Sequence, residues 1–374
     1  MAFMAKKAVI LFSFLVFLYT AFSIWKIVTT TAPDFTVFYQ SAEDVVRGIN
    51  PYEDPRFFTG LGYPVVTSIL YLPLLFFSQQ VALGLFVVAS ALAVPLTVFL
   101  CLRIGAHKVS LTDFLLFTAL AYLSFPIKFT LGMGQSNLVA GFLLIASFYC
   151  YKTSRFPIAG VLFGFCLVMK PLLGFMVFFY LFKRAWGILG FATIVVAGFF
   201  MVSLIIYGID IYQYYFTMLV PHLLNPAARE IYYNQGIMGF VARLVPDLSL
   251  RKVITSVFTI MLVLPSIVWL WKNRGTDLLQ FAILLTVLVL IDTLAWQHHF
   301  AFLLFPYILA TLCARSKNVY LLFALFLSFL LVSANIKTPL LFQQFPHVLL
   351  LSHVFYGAVL LFFILTHVKR YASR

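Results

Sequence analysis

Carboxylates are rare in this sequence, and nearly half of them are concentrated in one short stretch near its start. The chain has 374 residues and 11 acidic side chains. Residues 29–57 hold five of them: Asp34, Glu43, Asp44, Glu53 and Asp54. At the edge of an apolar layer the pKa of a carboxyl group rises toward neutrality, which allows it to accept a proton from a hydroxyl group. Asp34 is therefore a candidate general base, with a helix cap as its alternative role, and the other four are expected on a solvated helix or turn face.

A lysine and a glycine-rich turn are candidates for binding an anion. Lys170 precedes Pro171 inside a long apolar run. An ionisable residue at membrane depth is costly, which indicates either a function, such as holding a phosphate, or a side chain that reaches to the interface. The stretch GMGQSN places Gln135 and Asn137 at a helix start, where backbone N–H groups can bind an anion. A tight turn between two helices is the alternative.

Two later stretches have side chains suited to a sugar or a phosphate. In IDTLAWQHHF, helical spacing predicts Asp292, Trp296 and His299 on one helix face, with His298 beside them. An indole can stack on a sugar ring, and an interfacial aromatic belt is the alternative; no metal site is predicted, because further ligands are lacking. Residues 225–244 add amides and guanidinium groups that suit hydroxyls and phosphate. The candidates there are Arg229, Asn234 and Gln235.

The composition is that of a membrane protein. The chain is 63% hydrophobic and 10% charged, with 44 phenylalanines, whereas a soluble domain is about half apolar and about a quarter charged. Repeated apolar runs of roughly 20 residues are long enough to cross a bilayer as helices. The net charge of +14 comes from basic pairs between these runs, which is a topology signal rather than a nucleic-acid surface. The sequence predicts an all-α integral membrane protein with no nucleic-acid partner.

Placing the basic pairs on the cytoplasmic side gives about twelve crossings in a single domain, residues 1–374, with both termini cytoplasmic. The predicted spans are 8–28, 80–102, 111–127, 136–151, 157–170, 171–182, 187–207, 253–271, 278–296, 300–314, 318–335 and 347–368. The first is too long for a signal-peptide core and is expected to remain as an anchor. The two short spans beside Lys170 indicate a broken or partly re-entrant helix. Outer loops are expected at 29–62 and 208–250.

The first outer loop is predicted to contain an interfacial amphipathic helix that begins just after Asp34 and ends at Gly48. Its apolar face has helical spacing: Phe38, Ala42, Val45, Val46 and Ile49. The following apolar stretch, residues 63–80, contains Pro64 and Pro73 and is short for a crossing. It is expected to be an interfacial or re-entrant helix.

Six stretches resemble, in order and spacing, those of glycosyltransferase family 87 in the GT-C superfamily: PDFTVFYQSAEDVVRGINPYEDP, YPVVTSILYLPLLFF, GQSNLVAGFLLIASFY, VMKPLLGFMVFFYLF, NQGIMGFVARL and WQHHF. The resemblance runs from Pro33 to about Phe300. The family includes polyprenyl-phosphate-mannose-dependent mannosyltransferases. The resemblance therefore implies a GT-C-type helical bundle that transfers a sugar with inversion at the anomeric carbon, and the known members of the family favour mannose. The donor would be a polyprenyl-phosphate-linked sugar, and the acceptor would be a glycolipid or a glycan. The reaction would take place at the outer face of a prokaryotic plasma membrane.

The resemblance also implies roles for residues. The family's early aspartate, which acts as general base, matches Asp34. Donor-binding positions match Lys170, the turn of Gln135 and Asn137, and His298 or His299. Lys170, an arginine of the second outer loop or a histidine would stabilise the departing phosphate. No metal is required in principle, and metal dependence stays open. With 374 residues the chain is compact for the family, and no soluble C-terminal domain specialised for acceptor docking is expected.

Two other functions compete with this interpretation. A transporter or flippase of lipid-linked sugars would also have broken helices and an intramembrane lysine, but it would not require a carboxylate on an interfacial helix. A non-catalytic subunit of an envelope-assembly complex would tolerate replacement of Asp34.

Overall fold

The computed structural model describes residues 2–52, 61–106, 108–225, 227, 229–314, 319–336 and 347–368. Glu53 and Asp54, predicted on a turn face, lie outside these ranges. Within them the chain forms seventeen α-helices, several 3₁₀ segments and one π-helical turn, and no β-strand. The predicted all-α class is confirmed.

The α-helices are α1 Ala2–Val28, α2 Pro33–Arg47, α3 Gln79–Gly105, α4 Leu111–Leu123, α5 Phe125–Met133, α6 Asn137–Lys152, α7 Phe156–Met169, α8 Val177–Phe182, α9 Trp186–Tyr207, α10 Asp210–Tyr214, α11 Val220–Leu224, α12 Ile237–Leu244, α13 Leu248–Lys272, α14 Asp277–Ile291, α15 Leu304–Ala314, α16 Val319–Ser333 and α17 His353–His367. The 3₁₀ segments are Val65–Phe76, Pro171–Met176, Gln297–Leu303 and His347–Ser352, and the π-helical turn is Tyr215–Leu219.

Six helical stretches of the described chain are long and apolar enough to cross a bilayer: Lys6–Val28, Gln79–Gly105, Trp186–Tyr207, Leu248–Lys272, Gln297–Ala314 and Val348–His367. A seventh span results if α4 and α5, which meet at a bend of 64°, are counted as one. Each of the other predicted spans coincides with a shorter apolar helical stretch of 10–17 residues. The protein is therefore a multi-pass membrane protein, in which six to seven stretches have the length of a full crossing.

The long helices present apolar side chains outward, as lipid-facing helices do. On α1, α9 and α13, Trp25, Ile205 and Met261 are 61%, 81% and 64% exposed. Exposed apolar surface of this extent is unfavourable in water, but it costs nothing against lipid tails of the same polarity. These surfaces support the bilayer as the surrounding medium.

The chain divides into two compact units. The first contains Met1–Ile10, Val98–Phe129 and Pro226–Arg374, and the second contains Leu11–Thr97 and Thr130–Asn225. Each unit is described by itself below.

In the second unit, α2 is the predicted helix of the first outer loop. It begins at Pro33, because proline at the first helical position has a pre-set φ, so Asp34 lies in its first turn and not before it. It ends as predicted at Gly48, whose φ of 67° is left-handed. Phe38 stacks on Tyr71 of the 3₁₀ segment Val65–Phe76, with ring centroids 4.9 Å apart.

The assignment of residues to the two faces of α2 is partly wrong. Asp44, expected on a solvated face, is fully buried, because this side of α2 is covered within the unit and lies within electrostatic range of Tyr207. Val46 and Ile49, assigned to the apolar face, are exposed. More of the circumference of α2 is therefore covered by other residues of the protein than in a helix that only lies on a bilayer surface.

The predicted break beside Lys170 is present. Helix α7 ends at Met169, the 3₁₀ segment Pro171–Met176 follows, and α8 resumes the α-helix. Thr67 Oγ1 donates a hydrogen bond of 2.9 Å to the backbone oxygen of Val168, which satisfies a carbonyl near the break, as non-helical backbone at membrane depth requires.

In the first unit, α14 forms the centre, and its residues from Leu278 to Leu290 are buried. It packs against α13, α15 and α17. The predicted span 278–296 is too long, because α14 ends at Ile291. There Asp292 Oδ1 accepts the backbone N–H of Leu294 at 3.2 Å, a local side-chain bond that competes with helix continuation.

Candidate functional site

Three predicted site residues meet in the second unit. Asp34 comes from the first turn of α2, Gln135 from the turn between α5 and α6, and Lys170 from the break after α7. Gln135 Nε2 donates a hydrogen bond of 2.9 Å to Asp34 Oδ2, and the Lys170 ammonium lies within electrostatic range of the same carboxylate. Gln135 and Lys170 are only 4% and 1% exposed. A partly buried carboxylate, a buried amide and a buried cation thus form one polar cluster.

A glycine allows the turn to approach α2 this closely. Gly134 has a φ of 65°, and a Cβ atom there would lie 2.6 Å from the Cβ of Phe35 and 2.9 Å from that of Ala32. Only glycine fits both the backbone angle and the contact. The backbone N–H of Ser136 donates to Gln135 Oε1 at 2.9 Å, which turns the Nε2 end of the amide toward Asp34. The predicted tight turn is present, and it positions Gln135.

Lys170 is held by a tyrosine that the sequence did not indicate. Lys170 Nζ donates a hydrogen bond to Tyr63 Oη, and the Tyr63 ring lies 5.1 Å from that of Phe38 on α2, between centroids. No spacing rule connects residues 107 positions apart, so Tyr63 was missed. The buried ammonium lies inside the protein and does not reach toward solvent.

The environment of Asp34 is suited to a general base. Burial raises the pKa of its carboxyl group, and this effect outweighs the opposing influence of the Lys170 charge and of the hydrogen bond from Gln135. A raised pKa makes the carboxylate more basic, while the nearby cation still favours its ionised form. Helix α2 is capped by Ala32 without a side-chain hydrogen bond. The Asp34 carboxylate accepts its hydrogen bond from Gln135 and not from the backbone N–H groups at the start of α2. The structure therefore does not support the alternative role of Asp34 as a helix cap.

Asn137 is the first residue of α6 and is 1% exposed. It lies two residues after Gln135 in the same turn, and its predicted role in binding the donor stays a prediction.

The histidine cluster belongs to the first unit. Asp292, Trp296 and His299 do not lie on one helix face as predicted, because α14 ends at Ile291 and a 3₁₀ segment begins at Gln297. The intervening turn nevertheless brings two of them together: His299 Nδ1 lies 2.8 Å from Asp292 Oδ2. The carboxylate fixes the orientation of the imidazole, as an Asp–His pair generally does.

An aromatic stack surrounds the histidines. Trp296 lies nearly parallel to Tyr233, with centroids 6.1 Å apart, and to His298, with centroids 6.0 Å apart. The Phe129 ring lies 5.3 Å from His298. His298 and His299 are 4% and 7% exposed, so these rings form a packed cluster and not an open surface belt.

The predicted amides hold two segments of this unit together. Asn234 Nδ2 donates to the backbone oxygens of Arg229 and Thr293 at 3.3 and 3.2 Å. Gln235 Nε2 donates to the backbone oxygen of Leu351 at 2.6 Å, and its backbone N–H donates to Ala295 at 2.8 Å. These bonds position the loop around Trp296. A role of Asn234 and Gln235 in ligand binding stays a prediction.

Two arginines of this unit interact with groups already described. Arg229 is attracted by Asp292, while burial lowers the pKa of its guanidinium group. Burial also lowers the pKa of Arg243 to about 10. Arg243 donates to the backbone oxygen of Asn234 and to Ser352 Oγ, each at 2.8 Å. Among the described residues, no group of three or more His, Cys, Asp or Glu side chains is arranged to hold a metal ion.

The predicted site residues thus fall into two groups. Asp34, Gln135, Asn137 and Lys170 lie in the second unit, and Arg229, Asn234, Gln235, His298 and His299 lie in the first. A multi-pass helical protein in which a carboxylate, an amide and a buried ammonium from three different segments meet is typical of membrane enzymes and transporters.

Comparison with protein families narrows the class. Residues 61–296, more than half of the chain, match glycosyltransferase family 87, and the chain therefore belongs to this family. Comparison with curated proteins and with solved structures gives no match. The matched region includes Gln135 and Lys170, begins after Asp34 and ends before His298, so it is narrower than the resemblance found in the sequence.

Proposed function

We propose that this protein is an inverting glycosyltransferase that uses a polyprenyl-phosphate-linked sugar, with mannose as the first candidate. The acceptor is a hydroxyl group of a glycolipid or glycan at the outer face of a plasma membrane, and Asp34 is the general base. Family membership supports sugar transfer in a membrane. The observation that carries the assignment of Asp34 is its partly buried carboxylate, bonded to Gln135 and near the Lys170 ammonium.

The chemistry requires one proton transfer and one substitution. The acceptor hydroxyl gives its proton to the Asp34 carboxylate while its oxygen attacks the anomeric carbon from the face opposite the phosphate. The bond between that carbon and the phosphate oxygen breaks, and polyprenyl phosphate leaves with the electron pair, so the configuration inverts. Lys170 stabilises the negative charge that develops on the departing phosphate. Gln135 keeps the carboxylate oriented.

Roles of the remaining predicted residues belong to the same proposal. Asn137 would contact the donor near the turn that holds Gln135. His298, His299, Arg229, Asn234 and Gln235 would bind sugar or phosphate within the first unit. Activity without a metal is expected, because the phosphate leaving group is already activated.

The first test compares wild type with Asp34→Asn in liposomes that contain labelled polyprenyl-phosphate mannose and an envelope-lipid extract. General-base catalysis contributes about 10²- to 10⁴-fold, so transfer should fall by that factor in Asp34→Asn. Asp113→Asn is a matched control, because Asp113 also lies in the first turn of a helix, α4, and it should leave the rate unchanged.

Equal transfer by wild type and Asp34→Asn would require another base. A panel of donors with different sugars tests mannose separately. No transfer from any donor in the panel, by a protein that is folded, would contradict the enzyme assignment.

Transport of a lipid-linked sugar is the second candidate. It is favoured by the discontinuous helices, namely the break at Lys170 and the 64° bend between α4 and α5, since transporters build their sites from broken helices. The same liposomes distinguish the two functions. A transporter would move labelled donor between leaflets without forming a glycoside, and its activity would not depend on Asp34.

A further inference from the structure

A buried lysine needs something to hold its charge in place. Lys170 is 1% exposed, and its ammonium ends a flexible four-carbon chain. A charge in an apolar interior is stable only when it is paired and hydrogen-bonded. Tyr63 Oη accepts a hydrogen bond from Nζ, which makes this phenol one of the groups that determine where the cation sits.

Tyr63 is itself fixed by its neighbours. Its ring lies against Phe38, and its backbone oxygen accepts a hydrogen bond of 3.0 Å from Tyr52 Oη. Pro64 follows it and favours an extended backbone at Tyr63. Because Phe38 is four residues after Asp34, the two side chains lie on the same face of α2. Tyr63 thus connects the helix face that presents Asp34 to the ammonium of Lys170.

We propose that Tyr63 is a positioning residue, which holds the Lys170 ammonium at a fixed place beside Asp34. This inference rests on the proposed function and adds a residue to its machinery. The phenol has two consequences. It keeps the cation where a departing phosphate can be stabilised, and it preserves the attraction that favours the ionised form of Asp34.

The effect on Asp34 has a defined sign. The titratable groups that interact with its carboxylate are Lys170 and Tyr71, which lies in the segment Val65–Phe76. Lys170 lowers the pKa of Asp34 against the larger effect of burial. If the ammonium is no longer held, this influence weakens and the pKa of Asp34 rises further. Since the base acts in its ionised form, activity will then begin at a higher pH.

The test uses Tyr63→Phe, which keeps the ring packing on Phe38 and removes only the oxygen. Loss of a hydrogen bond to a charged group predicts a fall in kcat of about 10- to 100-fold, together with a shift of the acidic limb of the pH–rate profile to higher pH. In a Lys170→Met background, Tyr63→Phe should have little further effect, because residues that act through each other are not additive.

Tyr180→Phe is the matched control. Tyr180 is another buried tyrosine of the same unit, and its hydroxyl lies 2.8 Å from Ser147 Oγ. Its replacement removes a comparable hydrogen bond, yet it should leave the acidic limb at the wild-type pH.

A second measurement does not depend on activity. Amine-specific labelling of Lys170, followed by mass spectrometry in liposomes, should be several-fold faster in Tyr63→Phe than in wild type or Tyr180→Phe. Unchanged labelling would overturn the proposal, and so would a loss of kcat that persists fully in the Lys170→Met background. Faster labelling in a protein that transfers no sugar would support the positioning role and contradict the proposed function.

Discussion

At the scale of single residues, the amide of Gln135 makes a contact that the sequence did not predict. Its Nε2 end donates to Asp34 Oδ2, and the backbone N–H of Ser136 fixes its orientation, while its role in binding the donor stays a prediction. A hydrogen bond to the ionised form lowers the pKa of a carboxyl group. Gln135 therefore helps to keep the partly buried carboxylate of Asp34 ionised.

Gln135→Leu is predicted to raise the pKa of Asp34, because it removes one of the two interactions that oppose burial. Fewer molecules then have an ionised base at a given pH, so the acidic limb of transfer moves to higher pH. The hydrogen bond from Gln135 favours the ionised form of Asp34, so its loss adds to the effect of burial and raises the pKa of Asp34 further. Rates of sugar transfer measured across a pH series locate the acidic limb of the pH–rate profile directly.

A buried amide outside the cluster provides the control for this variant. Gln280 donates to the backbone oxygen of Leu270 at 2.8 Å, and Gln280→Leu should lower stability without moving the limb. If Gln135→Leu loses activity equally at every pH, the amide acts in another way, through folding or through direct contact with substrate.

The sequence identified candidate residues better than their partners. Asp34, Gln135 and Lys170 were each singled out by residue type and by position relative to apolar runs. The bond between Asp34 and Gln135 depends on tertiary packing between positions 101 residues apart, which no local pattern in the sequence predicts. Asp292 and His299 do meet, although through a turn and not along a helix. Asp44 was misplaced because amphipathic spacing indicates one buried face and cannot show that a second face is covered.

At the scale of elements, the contact between the α5–α6 turn and α2 determines whether the cluster forms. Gly134→Ala would place a methyl group 2.6 Å from the Cβ of Phe35 and would force a left-handed φ on alanine. The expected cost is about 1–3 kcal/mol. Transfer should fall more than this loss of stability explains, since Gln135 would be displaced from Asp34.

Gly132→Ala is the control, because a Cβ at Gly132 meets nothing within 4 Å. Alanine inside a helix is favoured over glycine by about 1 kcal/mol, so this variant should be neutral or slightly more stable. Thermal unfolding in detergent and transfer in liposomes check both variants. Wild-type behaviour of Gly134→Ala would show that the turn tolerates a displacement from α2.

The elements themselves were largely predictable, and their contacts were partly so. Apolar runs and basic pairs placed most of the longer helices close to their observed ranges, whereas the short helices α10, α11 and α12 of the second predicted outer loop were not predicted. Gly160 and Gly164 form a GxxxG motif on α7, where a Cβ would lie 2.5 Å and 2.6 Å from the Cβ atoms of Phe191 and Val195 on α9. This motif is typical of close helix pairs in membranes, and it was a usable signal that was overlooked. The number of full crossings was not predictable, since composition does not distinguish a short buried helix from a span.

At the scale of the whole molecule, the distribution of charge predicts its orientation. Lys152 is the last residue of α6, and Arg155 lies in the short turn that leads to α7. The acidic residues are concentrated in and after α2. The positive-inside rule puts the turn on the cytoplasmic side. If α2 lies on the opposite side, Asp34 would be accessible only to substrates at the outer face. The proposed lipid-linked donor would be used on that side.

Two cysteine variants test this orientation. Arg47 at the end of α2 and Thr153 in the α6–α7 turn are both exposed, so cysteine at either position should react with a maleimide that does not cross membranes. Right-side-out vesicles should label Arg47→Cys alone, and inverted vesicles should label Thr153→Cys alone. The parent protein is a suitable control, because Cys101, Cys150 and Cys166 are buried and Cys313 is partly so. The reverse pattern would put Asp34 on the cytoplasmic side and would contradict a donor that is used at the outer face. Labelling of both variants from the same side would mean that the chain crosses the membrane an even number of times between residues 47 and 153.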